Sequence, residues 1–149
     1  MSVREYCNRG VVIVEKNEPV REAINLMRHQ HVGDVVVVET QDGSPKPLGI
    51  LTDRDIVIEI LAKNVDPDKL TAGDVMSTDL ETVEEDVALL DAIELMKKKG
   101  VRRLPVVDRS GGLQGILTVD DILELIAEQL TGITSIIARE QEQETQRRQ

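Results

Sequence analysis

Apolar positions along the chain fall into two kinds of segment. Val11 to Val14, Val35–Val38 and Leu104–Val107 are short continuous runs, with the length and β-branched content of strands buried on both faces. Val20, Ala23, Ile24 and Met27 recur at helical spacing, with Leu26 widening the stripe. The preceding Glu18-Pro19 suits a helix start, because proline is tolerated in a first turn. Val87, Leu90, Ile93, Leu95 and Met96 repeat the pattern until Gly100 ends the helix. Leu48–Leu51 and Leu113–Leu117 predict the second strands of two hairpins. Ile56, Val57, Ile60 and Leu61, and then Ile122, Leu123, Ile126 and Leu130, predict the apolar faces of two closing helices.

These elements occur twice because the sequence does. Ala23-Ile24-Asn25-Leu26-Met27 returns 69 residues on as Ala92-Ile93-Glu94-Leu95-Met96, and Val35–Glu39 aligns with Leu104–Asp108 at the same spacing. Gly49-Ile50-Leu51-Thr52-Asp53-Arg54-Asp55-Ile56 then matches Gly115-Ile116-Leu117-Thr118-Val119-Asp120-Asp121-Ile122 at a spacing of 66. The three-residue difference falls between Thr40–Pro47 and the shorter Arg109–Gly112, both rich in turn residues, so each is expected to be a hairpin loop. The fold class is therefore α/β (α+β), two β-α-β-β-α units. With the break at Asn64–Asp68, the first unit is placed at 8–66, the second at 74–131, and a C-terminal helix and polar tail at 132–149. Ile133, Ile136 and Ile137 share a face of that last segment, which reads either as a fraying helix or as one that packs on a partner subunit.

Composition narrows the chemistry. With no Phe or Trp and one Tyr (Tyr6), the core must be aliphatic. A formal charge of −10 argues against a nucleic-acid polymer as partner, since phosphate neutralisation supplies most non-specific affinity. Cys7 stands alone and no Cys/His group has metal-ligand spacing, so no metal site is expected and a reducing cytoplasm suits the chain. No apolar run approaches the eighteen or so residues of a membrane span, and residues 1–10 lack a signal core. His29 and His31 read as surface residues, Met27 and Met96 as core, and Lys97–Lys99 as cations offsetting a helix C-terminus.

The repeated Gly-Ile-Leu-Thr-x-x-Asp has two readings. Thr52 and Asp55 stand as an N-cap and a first-turn carboxylate, which satisfy orphan amides and the positive end of the helix. The same geometry can receive a phosphate at free amides while the Asp accepts ribose hydroxyls.

Taken in order, Asp74-Val75-Met76-Ser77, Glu81-Thr82-Val83, Ala92–Met96, Val101-Arg102-Arg103-Leu104-Pro105-Val106-Val107-Asp108 and Gly115-Ile116-Leu117-Thr118-x-x-Asp121 resemble a tandem pair of cystathionine-β-synthase (CBS) domains, a Bateman module, over residues 10–130. The resemblance implies two units packed about a pseudo-two-fold axis, with two clefts that bind adenine nucleotides (AMP, ADP, ATP) or S-adenosylmethionine as regulatory ligands. It implies no catalysis and no required cofactor, a homodimer, and an effector protein that the sequence does not identify.

Carried onto this sequence, that pattern gives two clefts which the chain's own residues make unequal, because one of them departs from it. Thr52 and Asp55, with Arg54, would face Arg102 and Arg103 of the other repeat and hold a phosphorylated ligand through guanidinium hydrogen bonds. Thr118 and Asp121 would instead meet Asp34, a carboxylate where a phosphate contact belongs, giving a weaker second site. The leading function is a regulatory sensor of adenine nucleotides that signals to a partner protein. The alternative is a dimerisation or assembly module with vestigial clefts. An enzyme is disfavoured, since no nucleophile constellation, metal set or reacting carboxylate pair is present in the sequence.

Overall fold

Val35–Val38 have no accessible surface, so their strand must be covered on both faces. The computed structural model, which describes residues 1–149, meets that requirement with two matching sheets. β2 (Asp34–Gln41) lies between β1 (Ile13–Glu15), parallel to it, and β3 (Ser44–Thr52), antiparallel. β5 (Arg103–Val107) holds the same place between β4 (Val83–Glu84) and β6 (Leu113–Thr118). Both hairpins are bulged at the matching step, opposite Val37/Val38 and Val106/Val107, where β3 and β6 each hold one extra residue, Leu48 and Gln114. Because side chains alternate across a strand, Val35 and Val37 enter one aliphatic core with Val14, Val20, Ala23, Leu51 and Ile60, while Val36 and Val38 are buried on the opposite face. Leu104, Val106 and Leu117 form the second core with Leu89, Ala92, Met96 and Ile122.

The long helices follow the repeat. α2 (Val20–Gln30) ends at His31 and α5 (Leu89–Lys99) at Gly100, both in the left-handed conformation that closes a helix. Pro19 stands at the N-cap of α2, one position earlier than a first-turn proline.

Each repeat is completed by a short helix from the other's side of the chain. α1 (Val3–Tyr6) puts Val3 into the second core, and Val3 N–H donates to Val87 O at 2.9 Å. α4 (Ala72–Val75), preceded by a 3-10 turn at Pro67–Lys69, puts Ala72 and Val75 into the first core, and Ala72 N–H donates to Glu18 O at 2.9 Å.

The closing helices differ from each other and from the expectation. α3 (Asp53–Asp55) continues as a π-helix over Ile56–Leu61, where Ala62 N–H reaches back five residues to Val57 O. The wider turn brings Ile60 onto the core, whereas Ile126 at the matching position of the regular helix α6 (Val119–Arg148) is exposed. Ile60, Ile122 and Leu125 are the buried residues of these helices; Val57, Leu61, Leu123, Ile126 and Leu130, expected to face the core, face solvent instead. α6 runs unbroken through Gly132 for 30 residues, so the C-terminal segment is the second half of a closing helix.

Thr40–Pro47 is also more regular than its turn composition suggests. Asp42 and Gly43, with φ of 51° and 78°, form the whole turn, and strand pairing extends to Gln41 and Ser44. Pro45 and Pro47 are tolerated because β3 is an edge strand. The tip of this hairpin touches the other repeat, where Lys46 Nζ donates to Ser110 O.

Candidate functional site

Thr52 and Asp55 meet where β3 runs into α3. Asp55 N–H donates to Thr52 Oγ1 at 3.1 Å, and Thr52 N–H donates to Asp55 Oδ2 at 2.9 Å, a reciprocal cap. Thr118 and Asp121 repeat this at α6, with Asp121 N–H 3.2 Å from Thr118 Oγ1 and Thr118 N–H 3.1 Å from Asp121 Oδ2. There, however, the threonine hydroxyl also donates to Asp121 Oδ2 at 2.8 Å, whereas the Thr52 hydroxyl has no acceptor within the chain. A third such cap, Thr71 with Asp74, opens α4 and escaped the sequence reading.

Glycine begins the motif because another segment lies against it. A Cβ on Gly49 would collide with Ser77 O and lie 2.8 Å from Met76 Sδ, and one on Gly115 would lie 2.8 Å from Asn8 O. Ser77 pairs with Ile50 and Asn8 with Ile116, so each motif strand is flanked by the segment leading into the other repeat. Cys7-Asn8 and Met76-Ser77 stand 69 residues apart, the repeat spacing, which is the signal that could have placed them at the clefts.

Two cavities flank the Ile50–Ser77 pairing. One, of about 260 Å³, is lined by Ile50 of the first repeat, Asp79, Leu80 and Glu81 of the connecting segment, and Val101, Arg102 and Arg103 of the second repeat. The other, of about 510 Å³, is lined by Asp55, Glu59, Val65, Leu70 and Asp74–Ser77. The structure thus brings Asp55 to one cavity and Arg102 and Arg103 to its neighbour, with Ile50, two residues before Thr52, between them. Arg54 is exposed, and its side chain has no partner.

Several charges in this region are paired. Lys99 Nζ lies 2.7 Å from Glu81, whose hydrogen bond and charge hold the lysine ammonium above its usual pKa. Arg103 Nε lies 3.9 Å from Asp34 Oδ2. Asp34 is opposite Thr52 on the paired strands, as Arg103 is opposite Thr118. The two residues assigned from sequence to separate clefts therefore touch each other at the boundary between the repeats. Arg102 makes no side-chain hydrogen bond or ion pair and is the free cation of its cavity. No cluster of His, Cys, Asp and Glu has the geometry of a metal site, and no helix is long and apolar enough to cross a membrane.

This arrangement has known counterparts. An uncharacterized protein of Methanopyrus kandleri, MK0525, is 42% identical over 125 residues, a match spanning 84% of this chain and 62% of that protein. The crystal structure of Hypoxic Response Protein I with two coordinated zinc ions, a protein known from Mycobacterium tuberculosis, is 32% identical and superimposes with a TM-score of 0.72 over 83% of this chain and 98% of that one. The CBS domain pair of protein MJ0100, in complex with 5-methylthioadenosine and S-adenosyl-L-methionine, is 25% identical with a TM-score of 0.72 over 87% of this chain and 98% of its own. The family model for the CBS domain matches residues 3–62 and again 72–128, each match taking in one leading helix and one Thr-x-x-Asp cap. With two matched repeats, the expected strand-helix order in each and the paired sheets, the chain belongs to the CBS domain family as a tandem pair.

Proposed function

We propose that this CBS pair is a regulatory module that binds an adenosine-containing ligand in the first cleft. Thr52 and Asp55 would contact the ribose side, and Arg102, with Arg103 and Arg54 nearby, an anionic group. The observation that carries this reading is Arg102, an unpaired guanidinium in a cavity that Ile50 of the other repeat also lines. A free arginine suits a phosphate or carboxylate through charge-assisted hydrogen bonds, and the Thr52 hydroxyl, two residues from Ile50, is free to join them. The adenosyl ligands bound by the MJ0100 pair support the same class. Thr118, Asp121 and Asp34 form the weaker second cleft, because the Thr118 hydroxyl is engaged by Asp121 and Asp34 brings a carboxylate. The module acts as a homodimer and transmits occupancy to an effector protein in the cytoplasm.

The test is thermal unfolding with AMP, ADP, ATP, S-adenosylmethionine and NAD, since a ligand that binds only the folded chain raises its stability. At least one should raise the melting temperature of the wild type, and Asp55→Ala or Arg102→Ala should abolish the rise. If none does so, the reading fails, and an assembly module with vestigial clefts takes its place, which the exposed apolar face of α6 favours.

A further inference from the structure

One backbone hydrogen bond closes the same junction in both repeats. Val119 N–H donates to Arg102 O at 2.9 Å, as Asp53 N–H donates to Gly33 O at 2.9 Å. The side chains on this shared frame are opposite in character. In the first repeat the Asp53 carboxylate lies 3.3 Å from where a Cβ on Gly33 would stand, which puts an anion at the junction. In the second an arginine takes the glycine's place and a valine the aspartate's. There a groove of about 290 Å³ lies between the end of α5 and the start of α6. Buried Met96 and Ile122, half-buried Val119 and exposed Leu123 give it an aliphatic lining that reaches the second core. Its charged lining residues are Lys97 and Arg102, both exposed. Lys97 is 3.7 Å from Glu94, while Arg102 has no partner. No carboxylate lines the groove, although the chain carries a net −10.

We infer that this groove binds a small amphipathic carboxylate, its aliphatic chain against Met96 and Ile122 and its head at Arg102 and Lys97. An apolar body gains by leaving water, and an anionic head gains charge-assisted hydrogen bonds from a guanidinium at the solvent edge. A nucleotide fits poorly, because apart from the two cations the lining side chains offer a base or ribose no donor. The volume is close to the lower end of small-ligand cavities, roughly 300–1,000 Å³, which suits a short chain. Arg102 also lines the cavity proposed as the first cleft, so both ligands draw on one guanidinium. The groove stands whether or not that cleft binds an adenosyl ligand.

Octanoate is the probe, titrated calorimetrically into the full chain below its micelle concentration. It should bind saturably at a single site, about tenfold tighter than octan-1-ol, the increment of one charge-assisted hydrogen bond. Val119→Asp places at this junction the residue the first repeat already holds there, so circular dichroism should report an intact fold. It should weaken octanoate about tenfold, by repulsion of the head and loss of apolar lining. Leu123→Asp, at an exposed position, should do the same, and Leu130→Asp, exposed further along α6, should not. Absence of saturable binding, equal affinity for octan-1-ol, or wild-type affinity in both Val119→Asp and Leu123→Asp overturns the inference. Equal weakening by Leu130→Asp does so too, since octanoate would then be adsorbing along the exposed face of α6. The first cleft is judged separately, by Asp55→Ala with the adenosyl ligands.

Discussion

Arg103 and Asp34 meet across the boundary between the repeats, the guanidinium Nε 3.9 Å from the carboxylate Oδ2. Arg103, which lines the cavity proposed as the first cleft, is thereby held by the carboxylate proposed to weaken the second. Asp34→Asn releases Arg103 and is expected to tighten AMP binding several-fold, on the order of 1 kcal/mol, with little change in stability because such partly exposed pairs contribute about 0–1 kcal/mol. Isothermal titration of AMP against both proteins measures this; unchanged or weaker binding would show that Arg103 takes no part.

The three Thr-x-x-Asp caps separate structure from binding. Thr118→Ala should cost about 1 kcal/mol in urea unfolding, as loss of a cap does. Thr71→Ala should destabilise through α4 yet leave ligand affinity untouched, whereas Thr52→Ala should reduce both. Equal loss of affinity for Thr71→Ala and Thr52→Ala would mean that Thr52 acts only as a cap.

Glycines 49 and 132 should respond in opposite directions to alanine. A methyl at Gly49 strikes the backbone oxygen of Ser77, which is held by its pairing with Ile50 and cannot yield cheaply, so Gly49→Ala is expected to destabilise by about 1–3 kcal/mol. Gly132 has open space around its Cβ position in the middle of α6, and Gly132→Ala should stabilise that helix by about 0.5–1 kcal/mol. Denaturant midpoints of the two variants decide both.

Cys7 is half-buried beside Gly115, and burial raises its thiol above the usual pKa, outweighing the opposing charge of Arg9. Iodoacetamide at pH 8 should therefore modify it more slowly than a free thiol, since the thiolate is the nucleophile. Addition of urea past the unfolding transition should restore the ordinary rate; equal rates in both states would contradict the burial argument.

Acid should loosen the fold in a defined window. The Thr71 amide and then its hydroxyl hold the Asp74 carboxyl below its ordinary value, as the Ser110 hydroxyl does for Asp108 and the Arg21 hydrogen bond does for Asp68. A carboxyl lowered on folding stabilises fully above about pH 4 and loses that contribution as the pH falls through its folded value. Urea midpoints should therefore drop below about pH 4, and Asp74→Asn should flatten part of that slope. An Asp74→Asn slope equal to wild type would place the acid sensitivity elsewhere.

Much of this architecture is legible in the sequence because it is local. Continuous valines mark the central strand, Gly100 marks a helix end, and the repeated Gly-Ile-Leu-Thr-x-x-Asp marks both caps. What could not be read depends on distant partners. Nothing near Val3 in sequence indicates that its core lies beside Leu89, and Val57 and Leu123 have the composition of core residues while facing solvent. Gly132 suggests a helix end, but the good helix formers Glu128-Gln129-Leu130 before it and Ala138-Arg139-Glu140 after it carry α6 through at a modest cost. At the candidate site, Thr52, Asp55, Arg102 and Arg103 are nameable from the motifs, while Ser77, Asp79 and Glu81 come from a connecting segment whose position is set by pairing with Ile50. The meeting of Asp34 with Arg103 depends on how the two repeats come together, which no local pattern encodes.

The crossed placement of α1 and α4 bears on ancestry and on dissection. Each half of the chain donates its opening helix to the other, so a half cut free would keep a helix with no core to enter and a core with no helix to fill it. Two identical halves would satisfy each other by a reciprocal exchange. The present chain has the form of such a pair after duplication and fusion, its linker at residues 63–71 tying together what mass action would otherwise have to assemble. Cutting that linker without removing either piece should yield two fragments that find each other again, whereas either fragment alone would recover the older habit and pair with itself.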